Sequence, residues 1–197
     1  MSHHIYQTEG IVLERRPTGE AGHNCSIFTK ELGLVYGEAR GARNLGSKLR
    51  YSLQDLSHSK ISLVRGRSVW RVTGADLIEN FNSSFREERE KLKLCARVFS
   101  LLKRLVHGEE KNEQLFIVIS EAITFLKKQN LSTDEFICFE SILLVRILHN
   151  LGYIGDSSSL APFSKTYLWN NDEILKSLEV KREMITAINH ALRESHL

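Results

Sequence analysis

The 197-residue sequence predicts an α+β fold, in which a small five-stranded β-barrel precedes an all-helical domain. Two observations support this prediction. Up to about residue 80 the apolar residues alternate with a period near two, in short runs separated by Gly-rich and polar turns, as is typical of strands. Beyond that point they recur every three or four residues, as in amphipathic helices. We therefore expect domains at 1–80 and 81–197, joined at residues 80–84 by a polar hinge with a serine cap.

Five short apolar runs predict the strands of the first domain, at residues 11–13, 26–28, 34–36, 61–64 and 69–72. Because closure removes exposed sheet edges, five short antiparallel strands favour a closed or partly closed barrel, and the oligonucleotide-binding (OB) fold is the leading candidate. Alternation along the third strand places Tyr36, Glu38 and Arg40 on one outward face. Along the fifth strand, alternation places Trp70 inward and Arg71 outward.

The second half of the chain predicts four helices. A stripe of apolar residues from Leu94 to Val106 marks the first of them, which ends before Gly108. The second covers residues 113–128. Ser132, with Glu135 three residues later, predicts a capping box at the start of a third helix over 134–151, which Gly152 ends. A last helix, spanning Ile174 to Leu192, follows a loop at residues 156–162.

Positive charge is concentrated in one part of the chain. Residues 40–71 hold eight basic side chains against one acid, Asp55, although the whole chain has a net charge of only +3. Such segregation is expected where a phosphate backbone is attracted and its counterions are displaced. A solvated basic surface without a ligand is the alternative. Residues 41–53, which link the third and fourth strands, are rich in Gly and Arg and predict a loop that wraps around an anionic partner.

Several classes of function lack their signature here. The three cysteines, Cys25, Cys95 and Cys138, lie far apart without zinc-ligand spacing, so we expect free thiols and no metal site. No phosphate-binding glycine loop and no nucleophile with its base is evident, so we expect neither an enzyme nor a cofactor. The start of the chain lacks the order of a secretory signal, and the longest apolar stretch is too short to cross a bilayer; both favour a cytoplasmic protein.

Several short segments resemble the bacterial recombination-mediator family RecO. In the first half they are YQTEGIVL (6–13), GEA (19–21), IFT (27–29), GL (33–34), ARGAR (39–43), LVRGR (63–67) and WRVTGADL (70–77). A looser likeness covers FE (139–140), LL (143–144) and LGY (151–153) in the second half. The resemblance implies an N-terminal OB barrel followed by a helical domain.

The resemblance also implies a function and a set of partners. Members of the family bind single- and double-stranded DNA, anneal complementary strands and, with RecR, help to load RecA onto DNA coated by single-strand-binding protein. Many members carry a four-cysteine zinc module after the Leu-Gly-Tyr segment. This chain has Ser157, Ser158 and Ser159 there, so we expect that module to be missing.

Our first hypothesis is therefore a DNA-binding mediator in DNA repair that contacts phosphates without reading sequence. The candidate nucleic-acid-binding residues are Arg40, Arg43, Lys48, Arg50, Tyr51, Lys60, Arg65, Arg67 and Arg71. Two alternatives stay open. One is an adaptor whose helical half receives the acidic C-terminal tail of single-strand-binding protein through some of Lys103, Arg104, Lys127, Lys128 and Arg146. The other is a barrel that binds RNA.

Overall fold

The computed structural model describes residues 4–156 and 159–195, and it confirms the α+β prediction. The chain divides into two compact units, one ending at Glu113 and the other starting at Gln114. The strands are β1 (Ile5–Thr18), β2 (Gly22–Thr29), β3 (Gly33–Ala39), β4 (Ser57–Arg65) and β5 (Trp70–Asn80). The helices are α1 (Leu49–Ser52), α2 (Phe81–Ser84), α3 (Arg89–Leu105), α4 (Glu113–Lys128), α5 (Thr133–Asn150), α6 (Ala161–Ser164) and α7 (Asn171–Glu194).

The five strands close into a barrel in the order β1-β2-β3-β5-β4, as expected for an OB fold. Strand β1 is long enough to serve two neighbours: its first half pairs with β4 and its second half with β2, and Ile11 pairs with both. A register shift between Val12 and Glu14 accompanies this change of partner. The predicted alternation is confirmed, since Trp70 is buried and Tyr36, Arg40 and Arg71 are exposed.

Two local predictions are wrong. The segment at residues 80–84 is not a serine-capped hinge: Asn80 caps α2 by accepting a hydrogen bond from the Ser83 amide, and buried Phe81 packs against Phe99 of α3, with 5.9 Å between ring centroids. The link between β3 and β4 is not purely a loop. It contains α1, because Leu49 and Leu53 pack against the barrel core.

Helix α3 belongs to the same compact unit as the barrel, which extends to Glu113. Strands give way to helices after Asn80, as the change of periodicity indicates, but a domain boundary at residue 80 stays a prediction. We refer below to residues up to Glu113 as the barrel unit and to residues from Gln114 as the helical unit.

The helical unit is built around α5. Ser132 and Glu135 form the predicted capping box at the start of α5, and Gly152 adopts a φ of 80° just after it ends. Half of the α5 side chains are buried, and α7 packs against this helix. Among the described residues, no helix combines the length and the apolar character needed to cross a bilayer.

Arg146 of α5 is buried rather than available to a partner, so its assignment as a candidate cation for an acidic tail is wrong. Its guanidinium donates hydrogen bonds to the carboxylate of Glu173, at 2.5 Å, and to the backbone carbonyls of Phe163 and Leu168. It also lies 4.1 Å from the centroid of the Trp169 ring. Burial is compatible with a charged side chain here because every one of these contacts compensates lost hydration.

The three cysteines are free, as predicted, and all three are buried. Within residues 4–156 and 159–195, no group of three His, Cys, Asp or Glu side chains is arranged to hold a metal ion. Ser157 and Ser158, two of the three serines at the expected position of the zinc module, lie outside the described residues.

Candidate nucleic-acid interface

A groove of about 310 Å³ runs over the outer face of β1, β2 and β3 and reaches Lys103 of α3, which belongs to the same unit. The floor of the groove is a row of residues that are neighbours across the strands. Arg16 of β1 lies opposite Asn24 of β2, Asn24 lies opposite Glu38 of β3, and Glu38 lies opposite Arg71 of β5. Val69, in the turn between β4 and β5, lines the groove as well. This strand face, with the flanking β1–β2 and β4–β5 turns, is the surface on which OB folds bind oligonucleotides.

Charged side chains of both signs line this groove. Glu14 accepts charge-assisted hydrogen bonds from Lys103 Nζ, at 2.6 Å, and pairs with Arg16 Nε, at 3.1 Å. The hydrogen bond from Lys103, aided by Arg16, lowers the pKa of the Glu14 carboxyl below its usual range. Glu38 pairs in the same way with Arg40 Nε, at 3.2 Å. The lining of the groove is therefore balanced in charge, with the cations Arg16 and Lys103 against the carboxylates Glu14 and Glu38.

Tyr36 and Asn24 are the exposed neutral side chains of the groove that carry polar groups. Tyr36 stands on β3 with 54% of its surface accessible, although its strand neighbours Val35 and Gly37 are buried. The thiol of Cys25 lies beneath this floor, where burial raises its pKa to about 12. Cys25 is thus a protonated core side chain rather than a thiolate nucleophile.

A second cationic surface lies on residues 41–53, which we call the basic loop. Three consecutive turns shape this loop, through hydrogen bonds from the amides of Asn44, Ser47 and Arg50 to the carbonyls three residues earlier. The Arg43 amide ties it to the Ala21 carbonyl in the β1–β2 turn, at 2.9 Å. The loop is therefore held in place on the barrel, and Arg43, Lys48 and Tyr51 are exposed on it, with Arg50 half-buried.

The remaining candidate residues are placed less uniformly. Lys60 lies between Glu9 and Asp76 in strand register, in a depression that Glu31 also lines. Arg65 pairs with Glu109 at 2.9 Å and covers the Trp70 ring. The count of charges along residues 40–71 misses these carboxylates because they come from other segments of the chain.

Six of the eight predicted cations form no ion pair with a carboxylate within the described part of the chain: Arg43, Lys48, Arg50, Lys60, Arg67 and Arg71. Arg40 and Arg71 flank Glu38 at the groove, whereas Arg43, Lys48 and Arg50 belong to the basic loop. The role of each residue in binding stays a prediction. The sequence analysis did not identify Arg16 as a groove residue. The available signal was its exposed position near the C-terminal end of β1.

Comparison with known proteins agrees with this architecture. Residues 1–81 match the family model described as "Recombination protein O N terminal". The chain is 31% identical over 155 residues to "DNA repair protein RecO" of Thermodesulfovibrio yellowstonii, which covers 77% of this chain and 59% of the relative. It is 30% identical over 130 residues to the protein of the same name from Alkaliphilus metalliredigens, which covers 66% of this chain and 52% of that relative.

The chain thus spans about half the length of the curated relatives that it matches. The family model covers the strands of the barrel, and the 155-residue alignment with the Thermodesulfovibrio yellowstonii protein is long enough to extend into the helices. The barrel, the family model and these relatives together show that the chain is similar to RecO proteins, with a RecO N-terminal domain at residues 1–81.

Proposed function

We propose that this protein is a DNA-binding recombination mediator in DNA repair and that its barrel unit holds the DNA backbone electrostatically. The relatives carry the name "DNA repair protein RecO", which supports this assignment. The observation that carries it is the set of cations on the basic loop, together with Arg71 beside the groove, for which the described residues provide no carboxylate partner. Guanidinium and ammonium groups left unpaired on a β-scaffold are the usual ligands for phosphates.

The proposal extends to partners. Single- and double-stranded DNA would be bound, annealing would follow from holding two strands, and RecR and single-strand-binding protein would act with it in loading RecA. Binding rather than catalysis is proposed, because the groove positions cations and an aromatic ring but no nucleophile with its base.

Reversing the charge of the basic loop is expected to remove most DNA binding. The variant Arg43→Glu/Lys48→Glu/Arg50→Glu loses three phosphate contacts, and the slope of log K against log[salt] should fall by about 2, at about 0.7 per contact on a single strand. Fluorescence anisotropy with a labelled oligonucleotide, titrated with salt, measures both changes.

The matched control is Lys176→Glu/Arg182→Glu/Arg193→Glu on exposed positions of α7, which alters the net charge by the same amount. It is expected to bind nearly as wild type does. Equal losses in the two variants would show that overall charge, not the basic loop, governs binding. Wild-type affinity that does not respond to salt would contradict the electrostatic mechanism itself.

His23 links binding to pH. Burial lowers its pKa, and the nearby positive charges of Arg15 and Arg43 lower it further, so the free protein holds a neutral imidazole at pH 7. A phosphate bound at Arg43 would offset the charge of this arginine and raise the pKa of His23. The complex then takes up a proton, and affinity is expected to increase about two- to tenfold between pH 7.5 and pH 5.5. His23→Gln should flatten this dependence in anisotropy titrations, and an equal pH response in both proteins would assign it elsewhere.

A further inference from the structure

The carboxylates of the groove restrict which part of a nucleic acid can lie on its floor. Glu14 already occupies Arg16 and Lys103, and Glu38 already occupies Arg40. A phosphate placed here must compete with a carboxylate for these cations and is repelled by it at short range, where salt screens little. A neutral base meets no such competition.

The same floor offers groups that suit bases. Tyr36 presents an accessible ring from a strand whose backbone is paired on both sides of the residue, so the ring is held by the scaffold rather than by a mobile loop. Bases stack on aromatic rings irrespective of sequence. Asn24 is exposed and lies on β2 two residues before Ser26, which is paired with Tyr36. The side-chain amide of Asn24 can both donate a hydrogen bond to a base edge and accept one from it.

We propose, on the basis of the DNA-binding function above, that the groove selects single strands: bases turn inward to stack on Tyr36, and Glu14 and Glu38 exclude duplex phosphates. Only an unpaired strand can turn its bases to a protein surface, since a duplex presents its backbone. The basic loop has no such carboxylate pair beside Arg43, Lys48 and Arg50 in the described structure. It therefore accepts phosphates of either form of DNA.

The test compares the full chain with two variants on three labelled ligands: a single strand, the matching duplex, and a single strand of the same length made of abasic sites. Tyr36→Ala is expected to weaken single-strand binding about tenfold. It should change duplex and abasic-strand binding less than about twofold, because neither ligand can stack a base. Tyr167→Ala, which removes another half-exposed tyrosine from the helical unit, is the matched control and should leave all three affinities unchanged.

The paired variant Glu14→Gln/Glu38→Gln keeps the shape of both side chains and removes their charge. Duplex affinity is expected to rise about threefold or more, and to rise more than single-strand affinity, because phosphates are now admitted to the floor. Glu179→Gln/Glu183→Gln, which neutralises two exposed carboxylates of α7, controls for the change in net charge.

Each outcome bears on a distinct claim. A wild-type chain that binds neither the single strand nor the duplex at low salt overturns the proposed function. If the wild type binds DNA, but Tyr36→Ala affects the three ligands equally or not at all, strand selection by the groove is overturned while the DNA-binding function stands. Equal gains for single strand and duplex in the glutamine variant also overturn the selection, because the carboxylates would then act only through net charge.

Discussion

Replacing Arg146 with methionine is expected to lower the free energy of unfolding of the helical unit by about 3–5 kcal/mol. The substitution leaves the buried carboxylate of Glu173 without its cation and deprives the carbonyls of Phe163 and Leu168 of their donors. It also removes the guanidinium that stacks on Trp169. Breaking a buried pair at one partner costs more than the pair contributes, because the remaining charge stays desolvated.

Denaturant unfolding followed by tryptophan fluorescence measures this effect, since the two tryptophans of the chain, Trp70 and Trp169, lie in different units. A Trp70→Phe background makes Trp169 the only reporter. Arg182→Met, on the exposed side of α7, is the matched control and should change the unfolding free energy by less than about 0.5 kcal/mol.

The double variant Arg146→Met/Glu173→Met should recover part of the loss, because no unpaired charge is then buried. Recovery remains incomplete, since the two carbonyls still lack donors. If Arg146→Met unfolds with the same denaturant midpoint as the wild type, the hydrogen-bond network around Arg146 does not stabilise the helical unit.

The substitution Gly33→Ala is expected to destabilise the barrel unit by about 2–5 kcal/mol. Gly33 has a φ of 68°, in the left-handed region, and an added Cβ would lie 2.3 Å from the backbone oxygen of Glu110. The adjacent Leu34 amide donates to the Gly108 carbonyl, so the segment after α3 is fastened to the start of β3. Neither backbone can move away without breaking this contact.

Gly19→Ala separates the two contributions to that loss. Gly19 also has a positive φ, of 53°, but no heavy atom lies within 4 Å of its would-be Cβ. It should therefore show the conformational cost of about 1–2 kcal/mol without the steric clash. Thermal and denaturant unfolding of the two variants, read from Trp70 in a Trp169→Phe background, gives the difference. Equal losses of unfolding free energy in the two variants would mean that the close approach of the Glu110 backbone to Gly33 adds no steric cost.

The sequence predicted the parts of this structure that depend on local pattern. Alternation identified the inward Trp70 and the outward Tyr36, and the Ser132 and Glu135 pair identified the start of α5, because side-chain direction and capping follow from neighbours along the chain. Arg146 was misread for the opposite reason. An arginine within an apolar helix looks available until its partner Glu173, 27 residues away, is known.

The candidate interface shows the same division. A count of charge along the chain found the basic loop, whose cations are neighbours in sequence as well as in space. The count could not show that Lys60 lies beside carboxylates of β1 and β5. It also could not show that Arg16 of β1 and Lys103 of α3 line the groove. Strand register, which sets these neighbours, is a tertiary property.

The barrel closes through a very short seam. Strands β3 and β5 are joined by only two residue pairs, Gly37 with Trp70 and Glu38 with Arg71, whereas β2 and β3 share seven. Local opening requires the least free energy where the fewest backbone hydrogen bonds must break. We therefore expect the barrel to open first between β3 and β5, beside the groove. A nucleic-acid strand bound across Glu38 and Arg71 would hold β3 and β5 together. Binding in the groove would therefore stabilise the closed barrel against local opening.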